Sequence, residues 1–386
     1  MIIKYFTDND VYKFSVMYAI QRLYPWSYVN YEFINRGGNK FPKGFAERMR
    51  EEVDHMANLK MTKAERLFIE KECCYFDPSF IDLLESYRYN PNEVTITQSV
   101  EGELEVTIEG YWYRTVLWEV PLMAIISELY FQMTGVKERL VEQKAISKAE
   151  ELVKLGVQFS EFGTRRRFSF DVQSRVINCL QQHGLHYFQG TSNVYMAMKY
   201  NVKAIGTMPH EWTMYHGALF GYRYANTKAL ETWLEVFGGR LGISLTDTYT
   251  TDLFFENFSL KQAKVLEGLR CDSGDPLEFI EKAMAFYHSV KVDPSLKTIV
   301  FSDALNLETI KRISKSVKGR FKDTYGVGTF FTNDVGATPL NMVLKLTQVR
   351  SSRNATPYNV VKLSDDMGKS TGDKREIQLC KQVLGV

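Results

Sequence analysis

The chain has 386 residues, 45% hydrophobic and 24% charged, the balance of an ordinary soluble globular protein with room for about two or three domains. A net charge of +2 supplies no field that would argue for a nucleic acid or a membrane as partner. The five cysteines include no CxxC pair or metal-spaced set, acids follow the N-terminus closely, and no run of about 18 apolar residues exists. These features together predict a cytoplasmic protein with reduced thiols.

Asp8, Asn9 and Asp10 offer caps for a helix carrying Val11, Phe14 and Tyr18 on one face. Tyr28 to Ile34 reads as a strand ending at Asn35-Arg36-Gly37-Gly38, and Phe45, Met49, Val53 and Met56 recur at helical spacing. Thr62 with Glu65 forms a capping-box pattern, and Asp77-Pro78 starts a further helix. Alternating apolar residues on either side of Glu101-Gly102 predict a hairpin. Residues 1–120 therefore read as an α+β domain. The tail from about 339 to 386 reads as strands, at Met342-Val343-Leu344 and Val360-Val361-Lys362-Leu363, and is expected to rejoin that domain.

Two helical patterns follow, over about 121–133 and 137–155, and then a different grammar repeats. Short apolar runs at Phe159, Phe188, Ile205, Leu245, Leu269, Val300 and Tyr325 each end in polar or glycine residues, and most are followed by helical patterns. Strand, polar loop and helix, recurring at roughly 25 to 40 residues, is the pattern of a βα barrel, whose site is built from the loops after the strands. Seven such units are visible. An irregular, incomplete α/β barrel over 121–338 is the expected architecture, with an open doubly wound sheet as the alternative.

Three signatures fail on inspection. His210-Glu211 begins like a zinc-protease motif, but residue 214 is Met. Gly368-Lys369-Ser370 ends like a P-loop whose first glycine would fall on Leu363. Asp365-Asp366 before Thr371-Gly372 has the wrong spacing for an acidic phosphoribosyl loop. No protein metal-ligand set is assigned. What remains is polar groups on strand-end loops: Arg165, Arg166, Arg167 and Arg270 suit phosphate, and Gly326 and Gly328 allow close backbone approach to an anion. Asp247, Asp272 and Asp303 suit sugar hydroxyls or Mg²⁺. His210 stands at a helix start, which favours the neutral imidazole by about 0.3–1 kcal/mol. Together these describe a pocket for a phosphorylated sugar. A barrel that binds phosphorylated metabolites without turnover is a reading from a different class.

The motifs Glu161-Phe162-Gly163-Thr164-Arg165-Arg166-Arg167, Gly190-Thr191-Ser192-Asn193, Gly206-Thr207 through His210-Glu211-Trp212 and Leu245-Thr246-Asp247-Thr248-Tyr249 form a specific combination. With Arg270, Asp272-Ser273-Gly274-Asp275-Pro276, Tyr325-Gly326-Val327-Gly328 and Lys362-Leu363-Ser364-Asp365, it resembles the nicotinate phosphoribosyltransferase family over nearly the whole chain. Met367 departs from the proline expected in many relatives. The resemblance implies a homodimer with shared active sites, of the type II phosphoribosyltransferase fold. It implies that nicotinate and 5-phosphoribosyl pyrophosphate give nicotinate mononucleotide and pyrophosphate in NAD biosynthesis, with Mg²⁺ as cofactor and ATP as co-substrate. His210 would be transiently phosphorylated, and Asp247 would be the acid nearest the reacting ribose carbon. Phe162 would stack on one face of the pyridine and Tyr12 of the partner subunit on the other, while Arg165 would orient its acid group. Arg270 and Asp272, with Ser302 and Asp303, would hold the ribosyl substrate, and Gly326 and Gly328 its 5-phosphate. The related nicotinamide enzyme has an aspartate where Ser192 stands. Ser192 removes that repulsion and can donate to a carboxylate, which favours nicotinate over nicotinamide.

Overall fold

The computed structural model describes residues 1–366 and 369–386; Met367 and Gly368 lie outside the described residues. Its strands are β1 (Tyr28–Asn35), β2 (Val94–Gln98), β3 (Leu104–Tyr111), β4 (Gln158–Glu161), β5 (Phe188–Thr191) and β6 (Lys203–Ala204). They continue with β7 (Ile243–Leu245), β8 (Gly268–Cys271), β9 (Thr298–Phe301), β10 (Lys322–Val327), β11 (Met342–Arg350) and β12 (Tyr358–Asn359). The chain divides into two compact units: Met1–Lys154 with Phe159–Gly206 and Val327–Leu346, and Leu155–Gln158 with Thr207–Gly326 and Thr347–Val386.

In the first unit an antiparallel sheet runs β11-β1-β3-β2. Leu104, Val106 and Ile108 point inward from β3 while Glu105, Thr107 and Glu109 face solvent, so the period of two in the sequence is the period of burial. Register pairs Val94 with Ile108 and Ile96 with Val106. The hairpin turns at Gly102, whose φ of +83° and close approach to the Phe41 carbonyl leave no room for a Cβ. The capping box forms as expected: the Glu65 N–H donates to the Thr62 hydroxyl at 3.2 Å, and the Thr62 N–H to the Glu65 carboxylate at 2.7 Å. The other Glu65 oxygen accepts from the Thr7 N–H and hydroxyl, fixing the N-terminal loop that leads to Asp8 and Asp10. The stretch Trp112–Thr134 is long and apolar enough to cross a membrane, but 72% of its most apolar window is buried inside the chain, with Val120, Leu122, Ile125 and Ile126 fully enclosed. It is a core helix.

The parallel strands are the seven that the repeat predicts, and they make the incomplete βα barrel. In the first unit β6, β5 and β4 lie side by side; in the second the order is β10-β9-β8-β7. Register within the second unit aligns Leu245 with Arg270, and Arg270 with Val300, so the loops that leave these strands start level with one another. That alignment is what gathers polar side chains from distant stretches of sequence.

One local feature is as expected and one shifts. Pro209 precedes the helix His210–Phe220, which puts His210 at its first position. Residues 360–363 form no strand. The Val360 N–H donates to the Thr347 carbonyl, Lys362 makes an isolated antiparallel bridge with Thr371, and the Leu363 N–H donates to the Thr248 carbonyl at 2.8 Å, which draws the segment to the loop after β7.

Candidate active site

Four strand-end loops and one returning segment of the second unit meet at His210. Its Nδ1 lies 3.1 Å from the Thr248 hydroxyl. Its Nε2 lies 3.1 Å from Asp272, 3.4 Å from Asp247 and 3.0 Å from the Lys362 ammonium. Asp247 is 1% exposed; its Oδ2 accepts from Lys362 at 2.8 Å and from the Ser273 hydroxyl at 2.6 Å, while its Oδ1 has no hydrogen-bond partner among the described residues. Arg270, reaching out of β8, donates to Asp272 at 2.7 Å, to the Ser302 hydroxyl at 2.8 Å and to the Thr207 hydroxyl at 2.9 Å.

The electrostatics follow from this packing. Burial pushes the His210 imidazole below its ordinary value and the Lys362 ammonium adds to that, against Asp247 and Asp272, which pull the other way. The balance favours the neutral imidazole. Burial resists the ionisation of Asp272, but Arg270, His210 and Lys362 outweigh it and hold this carboxyl well below the usual range. Asp247 is lowered in the same sense: burial opposes, while His210 and Lys362 prevail. Two carboxylates face two fixed cations, so each cation is already paired and available to a phosphate only in exchange for its carboxylate.

Lys362 is held in this cluster by its neighbours. Leu363 is bonded to Thr248, and Asp365 accepts from the Thr251 N–H and hydroxyl at 2.8 and 2.6 Å. Val361 and Leu363 pack with Ala225, Tyr249 and Cys380. One nitrogen of His210 and one oxygen each of Asp247 and Asp272 lie within 4.8 Å of one another, close enough to hold a cation. Two carboxylates with an orphaned Asp247 oxygen suit Mg²⁺ that is also bound by substrate phosphates. A cavity of about 400 Å³ lies beside the cluster, lined by Thr251, Ser273, Gly274 and Asp365 among others; it shares Ser273 with the cluster, but His210, Asp247 and Asp272 do not line it.

A second group gathers in the first unit. Glu119 accepts from Lys13, from Arg165 at 3.3 Å and from the Tyr12 hydroxyl at 3.5 Å, all within one chain. Arg165 remains 43% exposed at its side chain, open to a ligand. Ser192 is buried, and its hydroxyl donates to Asp10 at 2.8 Å. Phe162 is half-buried after β4, its N–H bonded to the Val327 carbonyl.

His210, Asp247, Asp272, Arg270 and Ser302 thus come together in one place, and Tyr12 and Arg165 meet at Glu119. Asp303 stands aside, exposed, 3.7 Å from Lys369. Gly326 lies in β10, and Gly328 precedes the short helix Thr329–Thr332. Arg167 is not a ligand-facing arginine: it is fully buried, its two terminal nitrogens on the two oxygens of Asp8 at 2.7 and 2.8 Å. Sequence reading missed Lys362 as a site residue because it sits within an apolar run that resembles a strand; the signal was a lysine on an otherwise inward-facing stretch. Asp10 and Glu119 carried no motif of their own.

Comparison with known proteins follows the same lines. The model of the nicotinate phosphoribosyltransferase N-terminal domain matches residues 7–127, and that of the nicotinate phosphoribosyltransferase family matches residues 157–386. The chain is 48% identical over 383 residues to a nicotinate phosphoribosyltransferase of Chromohalobacter salexigens, covering 98% of this chain and 97% of that one. It is 38% identical to one of Methanosarcina mazei, covering 100% and 98%. Among solved structures, a nicotinate phosphoribosyltransferase from Porphyromonas gingivalis superposes with a TM-score of 0.98 at 43% identity, covering 100% of both chains. One from Vibrio cholerae superposes with a TM-score of 0.93 at 32% identity, covering 100% of this chain and 95% of that one.

Proposed function

We propose, because the chain belongs to the nicotinate phosphoribosyltransferase family, that it joins nicotinate to 5-phosphoribosyl pyrophosphate, with ATP hydrolysis coupled through phosphorylation of His210. The observation that supports the coupling is an imidazole set between two carboxylates and an ammonium, where burial lowers its proton affinity.

In the transfer, the pyridine nitrogen forms the new bond to the ribose carbon as the bond to pyrophosphate breaks. The charge that develops on the sugar is of oxocarbenium type, and Asp247 is the buried carboxylate that would stabilise it. Mg²⁺, held by the Asp247 and Asp272 carboxylates and the substrate phosphates, would neutralise charge on the departing pyrophosphate. Phe162 and Tyr12 of the partner subunit would hold the pyridine in line, and Arg165 its acid group, a positioning effect. Such a homodimer with shared sites belongs to the same reading.

In the coupling, a His210 nitrogen attacks the terminal phosphorus of ATP, ADP leaves, and water later takes the phosphoryl group. Lys362 is the group that makes this possible beside Asp247 and Asp272. Its ammonium exchanges Asp247 for the new phosphate, a charge-assisted bond worth about 1.5–3 kcal/mol. In Lys362→Met, incorporation of labelled phosphate from ATP should therefore fall about 10- to 100-fold. Unchanged labelling would remove Lys362 from the coupling step.

The overall reading is tested by product. Protein supplied with 5-phosphoribosyl pyrophosphate, Mg²⁺, ATP and each pyridine in turn should give nicotinate mononucleotide as the main nucleotide. Faster turnover of nicotinamide would reverse the substrate assignment, and no turnover of either would leave a binding barrel.

A further inference from the structure

Resting on the reading that Arg165 and Ser192 face the acid group of nicotinate, we propose that Asp10 is a specificity-determining residue of that subsite, and that it holds a proton while nicotinate is bound.

Geometry first sets Asp10 apart. It occupies the position before the helix Val11–Leu23, yet its carboxyl caps none of that helix's N–H groups. An aspartate there would ordinarily do so. The carboxyl turns inward instead, is 2% exposed, and accepts from the Ser192 hydroxyl at 2.8 Å. A hydroxyl has one proton to donate. While that proton goes to an ionised Asp10, Ser192 has none left for a substrate carboxylate. A protonated Asp10 reverses the bond, donating to the Ser192 oxygen and releasing the Ser192 proton to the ligand.

Charge points the same way. The groups that face Asp10 are Arg165, Glu119, Ser192 and Thr164, with Glu161 and Tyr12 also coupled to it and Lys13 reaching the set through Glu119. Burial raises the Glu161 carboxyl to about 7, and counted as the neutral acid it adds no charge; Lys13 and Arg165 then contribute two positive charges, Glu119 and an ionised Asp10 two negative ones. The subsite is then neutral, which suits an amide. With Asp10 protonated it carries one positive charge, the complement of the nicotinate anion. Burial, offset in part by Arg165, raises the Asp10 carboxyl above its ordinary value, so the neutral acid persists to higher pH than in a free aspartate. Replacing the aspartate of the nicotinamide enzyme by Ser192 thus does not clear the subsite of carboxylates; it leaves one whose charge can be switched off.

The test is proton uptake on binding. Nicotinate is titrated into the full-length protein, with pyrophosphate and Mg²⁺ present, by calorimetry in buffers of different ionisation enthalpy, and the apparent KM for nicotinate is followed from pH 6 to 9. The expected result is net proton uptake in the wild type, with a KM that rises up to about tenfold per pH unit once Asp10 ionises. Asp10→Asn, nearly the same shape and permanently uncharged, should bind nicotinate without uptake and with a flat KM over that range. A wild type that takes up no proton and keeps a flat KM over the whole range from pH 6 to 9 overturns the proposal whatever the variant does. Uptake that persists in Asp10→Asn assigns the proton to another group, Glu161 first among them, and overturns it equally, as does a variant that folds but no longer binds nicotinate. Failure of the underlying reading looks different: no nicotinate heat and no nicotinate mononucleotide from the wild type.

Discussion

In a His210→Ala variant, ATP should no longer stimulate transfer, and acid-labile phosphate on the protein should vanish, while slow ATP-independent formation of nicotinate mononucleotide persists. The first two losses are complete because the variant has no nucleophile at that position; the neighbouring Thr248 hydroxyl, 3.1 Å from Nδ1, loses the imidazole as its partner. The residual transfer follows from Asp247, Asp272 and Arg270 keeping their own partners, Ser273, Ser302 and Lys362 among them. The acid limb of phosphorylation carries a second expectation. Burial and Lys362 lower the proton affinity of His210, so the imidazole stays neutral as pH falls past its ordinary value, and labelling in the wild type should hold to lower pH than a free imidazole would allow. Phosphate incorporation measured against pH in wild type and variant checks both. Labelling of His210→Ala at the wild-type level would make His210 a structural residue.

The sequence carried more of the barrel than of the chemistry. Period-two alternation in β3, the Thr62–Glu65 box and seven apolar runs ending in polar loops are local signals, and each has a local structural consequence. The cluster at His210 is not local: residues 210, 247, 272 and 362 meet only through parallel register and the Leu363–Thr248 bond. Inventory could nominate His210, Asp247 and Asp272 as residue types on the right loops, and family resemblance supplied the expected roles. Neither revealed that Lys362 lies between them, because a lysine in Val360-Val361-Lys362-Leu363 reads as the outward face of a strand. Burial of charge is likewise invisible in sequence. Arg165, Arg166 and Arg167 are identical as letters. A helical turn over residues 164–166 and the exit at Arg167 send the first toward Glu119 and the last into the core.

That burial sets the second large effect. Removing the guanidinium in Arg167→Met should lower the stability of the protein to urea by about 3–5 kcal/mol, since Asp8 would be left as an uncompensated charge in the interior. This is a large share of the roughly 5–15 kcal/mol that a folded domain has in total. Asp8 would retain the Asn193 amide at 2.8 Å but lose both guanidinium bonds, and Gln173 would lose its donor at 3.0 Å. Arg167→Lys should recover little, because a single ammonium does not reproduce the paired bonds of the fork. The double variant Asp8→Asn with Arg167→Met removes both charges and should regain a substantial part of the loss, since an ion pair exchanged for uncharged groups is often near neutral. Equal destabilisation of the single and double variants would mean that packing, not charge, holds this site. If instead Arg167→Met folds as stably as the wild type and only raises the requirement for 5-phosphoribosyl pyrophosphate, Arg167 reaches substrate after all. Since Asp8 lies two residues from Asp10, and Asn193 beside Ser192, the same pair also anchors the two stretches of chain that meet in the proposed acid subsite, so Arg167→Met should raise the apparent KM for nicotinate as well as lower stability.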